Sequence, residues 1–135
     1  MRNTFLCLVL ILVSCNKAKQ PLCAPPPPSV QFRLMDAQTN KDMLATGILL
    51  ASEISAVNSA GKSLYVYVSN GDTMRTISVL GFDQGAHNYK LKAGAKEINF
   101  SAEVIKGDCG PLAGEMKVLG YNAPMDKWGS FVVAL

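Results

Sequence analysis

The chain is poor in the residues on which most catalytic and nucleic-acid-binding sites depend. Only 17% of its 135 residues are charged, the formal net charge is +3, and His87 is the single histidine. Nucleic-acid-binding domains usually carry a clustered basic stripe, whereas the Lys and Arg residues of this chain are spread along its length. We therefore expect no nucleic-acid partner, and the composition predicts a folded, near-neutral domain.

Several site motifs are also missing. The sequence has no Cys-x-x-Cys pair, no G-x-S-x-G motif and no glycine-rich loop in a strand-then-helix context. These absences argue against a zinc centre, a serine hydrolase and a nucleotide site. We expect no metal, no cofactor and no catalytic residue.

The N-terminal apolar run is too short to span a membrane. It covers the nine residues Phe5–Val13, which as a helix would measure about 14 Å against a hydrocarbon core of about 30 Å. With Arg2 before it, the run is typical of the apolar region of a secretory signal. The run ends in Leu12-Val13-Ser14-Cys15, which resembles a bacterial lipobox, with a small residue before the cysteine that accepts lipid.

This resemblance divides the chain into three parts. Residues 1–14 are predicted to be a signal peptide cleaved between Ser14 and Cys15. Residues 15–29 are predicted to be an acylated cysteine and a tether, in which Pro25–Pro28 forms a stiff polyproline spacer that lifts the domain off the membrane. Residues 30–135 are predicted to be the folded domain.

This division predicts a role for each of the four cysteines. Cys7 leaves with the signal peptide and Cys15 is acylated, so that Cys23 and Cys109 remain in an exported, disulfide-permissive compartment. We predict one disulfide between them, which would pin the tether to one end of the domain. The alternative is two free thiols, which are uncommon outside the cytosol.

From residue 30 onward, apolar residues alternate with polar ones in short segments bounded by turn signals. This pattern predicts an all-β, antiparallel sandwich of about seven or eight strands. Gly61 and Asn70-Gly71 are interpreted as hairpin turns, Gly81–His87 as a loop, and Met43–Ala51 as either a buried strand or an irregular crossing. The predicted strands are 30–35, 53–58, 63–69, 73–80, 88–93, 98–104, 115–121 and 128–135.

The arrangement resembles small bacterial lipoproteins that carry one immunoglobulin-like or transthyretin-like sandwich behind a cysteine and a proline-rich spacer. Phe32–Leu44 (FRLMDAQTNKDML) is similar to the first strand and turn of carboxypeptidase-regulatory-like domains, and Gly107–Pro111 (GDCGP) also recurs in such lipoproteins. Asn40 replaces the usual glycine of that turn. The resemblance implies no catalytic residues.

Three places in the domain are candidate sites. Tyr65 and Tyr67 share one face of a strand, where they either form an aromatic surface for a glycan or protein or, as we favour, pack across the hairpin on Arg75 or Thr73. His87 is either a lone base or, as we favour, an exposed loop histidine.

The third is a group of polar residues, Asp36, Asn40 and Asp42, which could suggest calcium. Their spacing does not match a calcium loop, so we interpret them as turn residues. Trp128, at the start of the last predicted strand, is expected to pack in the core or at its rim.

Together these features predict a lipid-anchored, non-catalytic protein of the cell envelope with a structural or accessory binding role. Its expected partners are the bilayer, through Cys15, and an envelope protein or glycan. Because Asn16 is not the aspartate that retains lipoproteins in the inner membrane of some bacteria, the outer membrane is favoured. The alternative function is a carbohydrate- or peptide-binding module that uses Tyr65 and Tyr67 or the loop around His87.

Overall fold

The computed structural model describes residues 23–135, which form two packed four-stranded sheets. The predicted signal peptide and the cleavage and lipidation residues Ser14 and Cys15 lie outside the described residues. None of the helices among residues 23–135 has the length and apolar character needed to cross a membrane. The elements are β1 Ser29–Met35, a 3₁₀ turn Ala51–Glu53, β2 Ile54–Asn58, β3 Tyr65–Val68, β4 Ile77–Leu80, β5 Gly85–Ala93, β6 Lys96–Gly107, β7 Gly110–Leu119 and β8 Ser130–Ala134.

The strand order confirms the predicted all-β sandwich. The first sheet has the order β3-β4-β1-β8, and the second sheet has the order β2-β5-β6-β7. All neighbours are antiparallel except β1 and β8, which run parallel. The parallel pair arises because the chain crosses from the second sheet to the first between β7 and β8.

The core lies between the sheets and is built from the inward residues of each strand. In β1 these are Val30, Phe32 and Leu34, each at most 2% exposed, and β6 contributes an equivalent series that includes Phe100. The rings of Phe32 and Phe100 meet edge to face across the two sheets, with centroids 5.1 Å apart. Burial of each such side chain stabilises the fold by about 1.5–3 kcal/mol. The apolar residues that alternate with polar ones in the sequence are therefore the residues that form the packed core.

The segment between β1 and β2 is an irregular crossing, one of the two alternatives that the sequence left open. The buried carboxylate of Asp42 fixes it, because Oδ1 accepts the N–H groups of Leu44 (3.0 Å) and Ala45 (2.9 Å). Oδ2 accepts the N–H of Arg75 at 2.9 Å, which ties the crossing to the loop between β3 and β4. Leu44 and Leu49 are buried against the core in consequence.

One of the two predicted hairpin turns differs from expectation. β3 and β4 are an antiparallel pair, but the loop 69–76 joins them and Gly71 does not take the positive φ that a two-residue Asn-Gly turn requires. Ser69 closes this wider loop, since its Oγ accepts the N–H of Thr76 at 2.8 Å. The other turn is as predicted: Gly61 takes a positive φ of 80°, and the N–H of Asn58 donates to the carbonyl of Lys62 at 2.9 Å across it. Beyond this short antiparallel contact, β2 and β3 belong to different sheets.

Several strand boundaries also differ from the predicted ones, among them the starts of β5, β7 and β8. His87 lies inside β5 and not in a loop, because β5 already begins at Gly85. β7 begins at Gly110 and not at Glu115, since only Asp108 and Cys109 separate it from β6. β8 begins at Ser130, so that Trp128 precedes the strand.

Candidate anchoring and binding surfaces

A disulfide joins Cys23 to Cys109, as predicted. The two residues are 86 positions apart in sequence and their Cα atoms are 5.1 Å apart. The bond links the chain that precedes β1 to the tight turn between β6 and β7. The ring of Pro25 lies against the same turn, because a Cβ atom on Gly110 would be 3.4 Å from Pro25 Cγ.

The disulfide changes the role expected for the proline run. Pro25–Pro28 follows Cys23, so it lies on the domain side of the bond and connects the β6–β7 turn to β1. It therefore does not lift the domain away from the residues that precede Cys23. Only the seven residues 16–22 separate Cys15 from the residue that is fixed to the sandwich.

The strand register shows which parts of the molecule share this end. Ser29, where β1 begins, is opposite Leu80 at the end of β4, and Leu80 is also opposite Tyr65 at the start of β3. β8 enters beside β1, with Ser130 next to Gln31. We call this end, with the disulfide and the β6–β7 turn, the tethered end, and the opposite end, with the loops 36–53 and 69–76, the far end.

Tyr65 and Tyr67 point to solvent from the outer face of the first sheet. Their exposed fractions are 79% and 62%, and the shared face predicted from the sequence is confirmed by the alternating burial of β3. The register contradicts the predicted packing of the two tyrosines on Thr73 or Arg75. The cross-strand partners of Tyr65 and Tyr67 are Leu80 and Ser78.

A row of polar residues continues from Tyr67 across the whole first sheet. Tyr67 is opposite Ser78, Ser78 is opposite Gln31, and Gln31 is beside Ser130. The Ser130 hydroxyl donates to Gln31 Oε1 at 3.2 Å. Three strand spacings of about 4.8 Å make the row about 14 Å long. We call Tyr65, Tyr67, Ser78 and Gln31 the tyrosine face, and it offers aromatic surface beside uncharged hydrogen-bonding groups.

The outer face of the second sheet contains an open groove of about 630 Å³ that the sequence analysis missed. One continuous register row crosses it, through Val57, Lys90, Asn99 and Leu119. Lys90 is engaged by Glu97, with Nζ 2.9 Å from Oε2, and this hydrogen bond lowers the pKa of the Glu97 carboxyl. No local signal predicts the groove, because its walls come from four strands.

His87 has no catalytic surroundings in the described part of the chain. Its side chain is exposed, and Nε2 lies 2.8 Å from the carbonyl oxygen of Gln84, to which it donates. The neighbouring carboxylate of Asp83 instead accepts a hydrogen bond from Asn58 Nδ2 at 3.2 Å. Among residues 23–135, no carboxylate lies within ion-pair distance of the His87 ring.

Asp36, Asn40 and Asp42 act as turn residues. Asp36 Oδ1 accepts the N–H and the hydroxyl of Thr39, both at 2.7 Å, and these bonds lower the pKa of the Asp36 carboxyl. Asn40 takes a left-handed φ of 52°. No group of three or more His, Cys, Asp or Glu side chains that could hold a metal ion occurs within residues 23–135.

A second well-ordered turn precedes β8. Asp126 Oδ1 accepts the N–H groups of Trp128 (2.9 Å) and Ser130 (3.0 Å), and Oδ2 is 3.3 Å from Arg33 Nη1. Partial burial raises the pKa of Asp126, but the two N–H donors and the Arg33 guanidinium outweigh it and hold the pKa below its ordinary value. The turn places Trp128 outside the core, contrary to the expectation of core or rim packing.

Comparison with known proteins identified no relative of this chain. Protein-family models, curated proteins and solved structures were compared with the chain, and none of the three comparisons found a match. The interpretation of function therefore depends on the residues and surfaces described above.

Proposed function

We propose that the protein is a lipid-anchored, non-catalytic accessory protein of the bacterial cell envelope, with acylated Cys15 holding a binding sandwich at the membrane. The observation that carries the proposal is the Cys23–Cys109 disulfide. It fixes to the sandwich a residue only eight positions after the lipobox cysteine.

The disulfide sets a limit on how far the sandwich can stand from its anchor. Eight residues extend at most about 29 Å, at up to about 3.6 Å per residue. Two or more acyl chains on one residue give stable membrane attachment, because each buried CH₂ contributes about 0.8 kcal/mol. A short tether and a strong anchor favour a protein that works within a few nanometres of the bilayer surface.

The surroundings of the titratable groups favour a role without catalysis. General acid–base chemistry needs a positioned acid or base within hydrogen-bond reach of a reacting group. The only histidine donates to a backbone carbonyl, and the carboxylate of Asp42 is occupied by backbone N–H groups. These residues therefore support turns and strands, and the exposed surfaces are left for binding.

The anchor is tested by replacing Cys15 with serine in the full-length protein and expressing it in a bacterium that processes lipoproteins. The native protein should incorporate an alkyne-labelled fatty acid and sediment with membranes, in the outer-membrane fraction of a density gradient. C15S should lose the label, and the cleaved, membrane-anchored form should no longer be present. Cys7→Ser is the matched control, since it removes a cysteine from the predicted signal without affecting acylation. Labelling and fractionation of C15S that match the native protein would contradict the proposal.

A second candidate function is capture of a carbohydrate or peptide on the tyrosine face. The observation that favours it is the exposure of both rings, 79% for Tyr65 and 62% for Tyr67, beside the polar groups of Ser78 and Gln31. Tyrosine rings provide large contact area at low entropic cost, and they are enriched where proteins bind partners.

The second function is tested by titrating the purified protein with a panel of neutral oligosaccharides and of extended peptides. Tyr67→Ala should weaken any binding about twofold to thirteenfold, the loss expected for an aromatic contact of about 0.5–1.5 kcal/mol. Lys92→Ala, which changes the groove of the second sheet, is the control and should bind normally. Equal binding by the native protein and Y67A would show that the tyrosine face is not the binding surface.

A further inference from the structure

We propose that the tethered end is itself a membrane-contacting surface, on which Trp128 inserts into the headgroup region of the bilayer. The inference rests on the proposed lipid anchor and adds a second, non-covalent contact. It would fix the orientation of the sandwich, which attachment through a single acylated residue does not determine.

Trp128 is displayed at this end on a rigid turn. Its side chain is 60% exposed, and Asp126 holds the turn through the N–H groups of Trp128 and Ser130. Lys127 Nζ lies 4.2 Å from the centroid of the Trp128 ring. The charge of Asp126 is paired with Arg33, so Lys127 is the charge that this turn presents to its surroundings.

A second apolar contact lies at the same end, on the β6–β7 hairpin. Ile105 and Leu112 are cross-strand partners close to the turn that carries Cys109. Their exposed fractions are 44% and 42%, which is high for branched aliphatic side chains. Lys106 is exposed beside them. The hairpin and the Trp128 turn therefore each carry an exposed apolar group with a lysine next to it, and the hairpin turn carries the exposed Asp108 in addition.

This chemistry matches the interface between water and lipid. Tryptophan is enriched at the headgroup level, because its large ring is apolar and its N–H is polar. Lysines near the surface are attracted to anionic headgroups and keep their charge in water. Among the possible partners of this surface, we favour the bilayer. Cys23 is fixed at the tethered end, and the proposed anchor Cys15 is only eight positions before it.

The attachment also explains how a small contact can be effective. One tryptophan and two aliphatic side chains bind a membrane weakly on their own. Once Cys15 is in the bilayer, insertion becomes an intramolecular step, and its effective concentration is set by the short tether. The exposed apolar residues Ile48 and Leu50, by contrast, belong to the crossing at the far end, where the tether does not bring the membrane.

The inference can be tested on the full acylated protein, reconstituted into vesicles of phosphatidylethanolamine and phosphatidylglycerol. Trp128 is the only tryptophan of the chain, so the fluorescence of the unlabelled protein reports this residue alone. We expect its emission to shift to the blue on reconstitution. It should be quenched by lipids brominated near the headgroup and protected from acrylamide.

The control moves the reporter to the other end of the sandwich. In Trp128→Phe/Ile48→Trp the tryptophan lies at the far end, and it should be open to acrylamide and several-fold less quenched by brominated lipid. If the native protein sediments with the vesicles while Trp128 behaves like this far-end reporter, the inference is refuted and the lipid anchor stands. If the native protein fails to associate with vesicles at all, the anchor and the inference both fail.

Discussion

Removal of the Cys23–Cys109 bond by replacing both cysteines with alanine should strongly destabilise the sandwich. The bond spans 86 positions, and in the chain-entropy model a loop of this length stabilises the folded state by about 4.6 kcal/mol at 25 °C. The bond closes most of the domain, from before β1 to the β6–β7 turn, so it restricts the unfolded chain of six of the eight strands. For a domain of this size the loss corresponds to a fall in Tm of roughly 15–20 °C.

Thermal unfolding followed by circular dichroism, on the full protein in mild detergent, measures this loss. Dithiothreitol added to the native protein should reproduce the lower Tm, and it should leave the double alanine variant unchanged. A fall in Tm of less than about 4 °C, or about 1 kcal/mol, would refute the reasoning. It would mean that the contacts of Pro25 and β1 already hold this end without the bond.

The same variant has a consequence at the membrane. Without the bond, the segment between the proposed anchor at Cys15 and the sandwich lengthens from residues 16–22 to residues 16–28, and it then includes the proline run. The effective concentration of the tethered end at the bilayer then falls. We therefore expect weaker quenching of Trp128 by brominated lipid in the double alanine variant, with acylation unchanged.

Two further predictions concern buried and half-buried carboxylates. Asp42→Ala leaves three N–H groups without their acceptor and should cost about 3 kcal/mol, measured as a lower Tm; a loss under about 1 kcal/mol would contradict the assigned role. Because the pKa of Asp126 is depressed in the folded state, its contribution is present above the unfolded pKa of about 3.9 and is lost as the pH falls through the folded value. Asp126→Asn should therefore flatten the fall of Tm between pH 5 and pH 2, and an unchanged acid profile would contradict this.

Much of the fold follows from local pattern. The alternation of Val30, Phe32 and Leu34 with polar residues is enough to predict β1 and its buried face, because the side-chain period of a strand is two. The same reasoning places Tyr65 and Tyr67 on one exposed face. The pairing of Cys23 with Cys109 follows from eliminating the other two cysteines.

What the sequence did not predict depends on contacts between distant segments. The Asn70-Gly71 pair suggests a two-residue turn, but the bonds of Ser69 and Asp42 to the end of the loop make a wider one. The groove of the second sheet needs four strands in register. Trp128 was expected to pack in the core or at its rim. Its turn is instead held by Asp126, whose partner Arg33 is 93 positions away, so no local pattern predicts it.

The central claim, that Cys15 is the acylated first residue of the mature protein, is tested most directly by intact mass spectrometry of protein extracted from bacterial membranes. The claim predicts a chain that begins at residue 15, with the added mass of two or three acyl chains and the loss of two hydrogen atoms for one disulfide. A chain that retains Met1, or one that begins at residue 15 with an unmodified thiol, would contradict it.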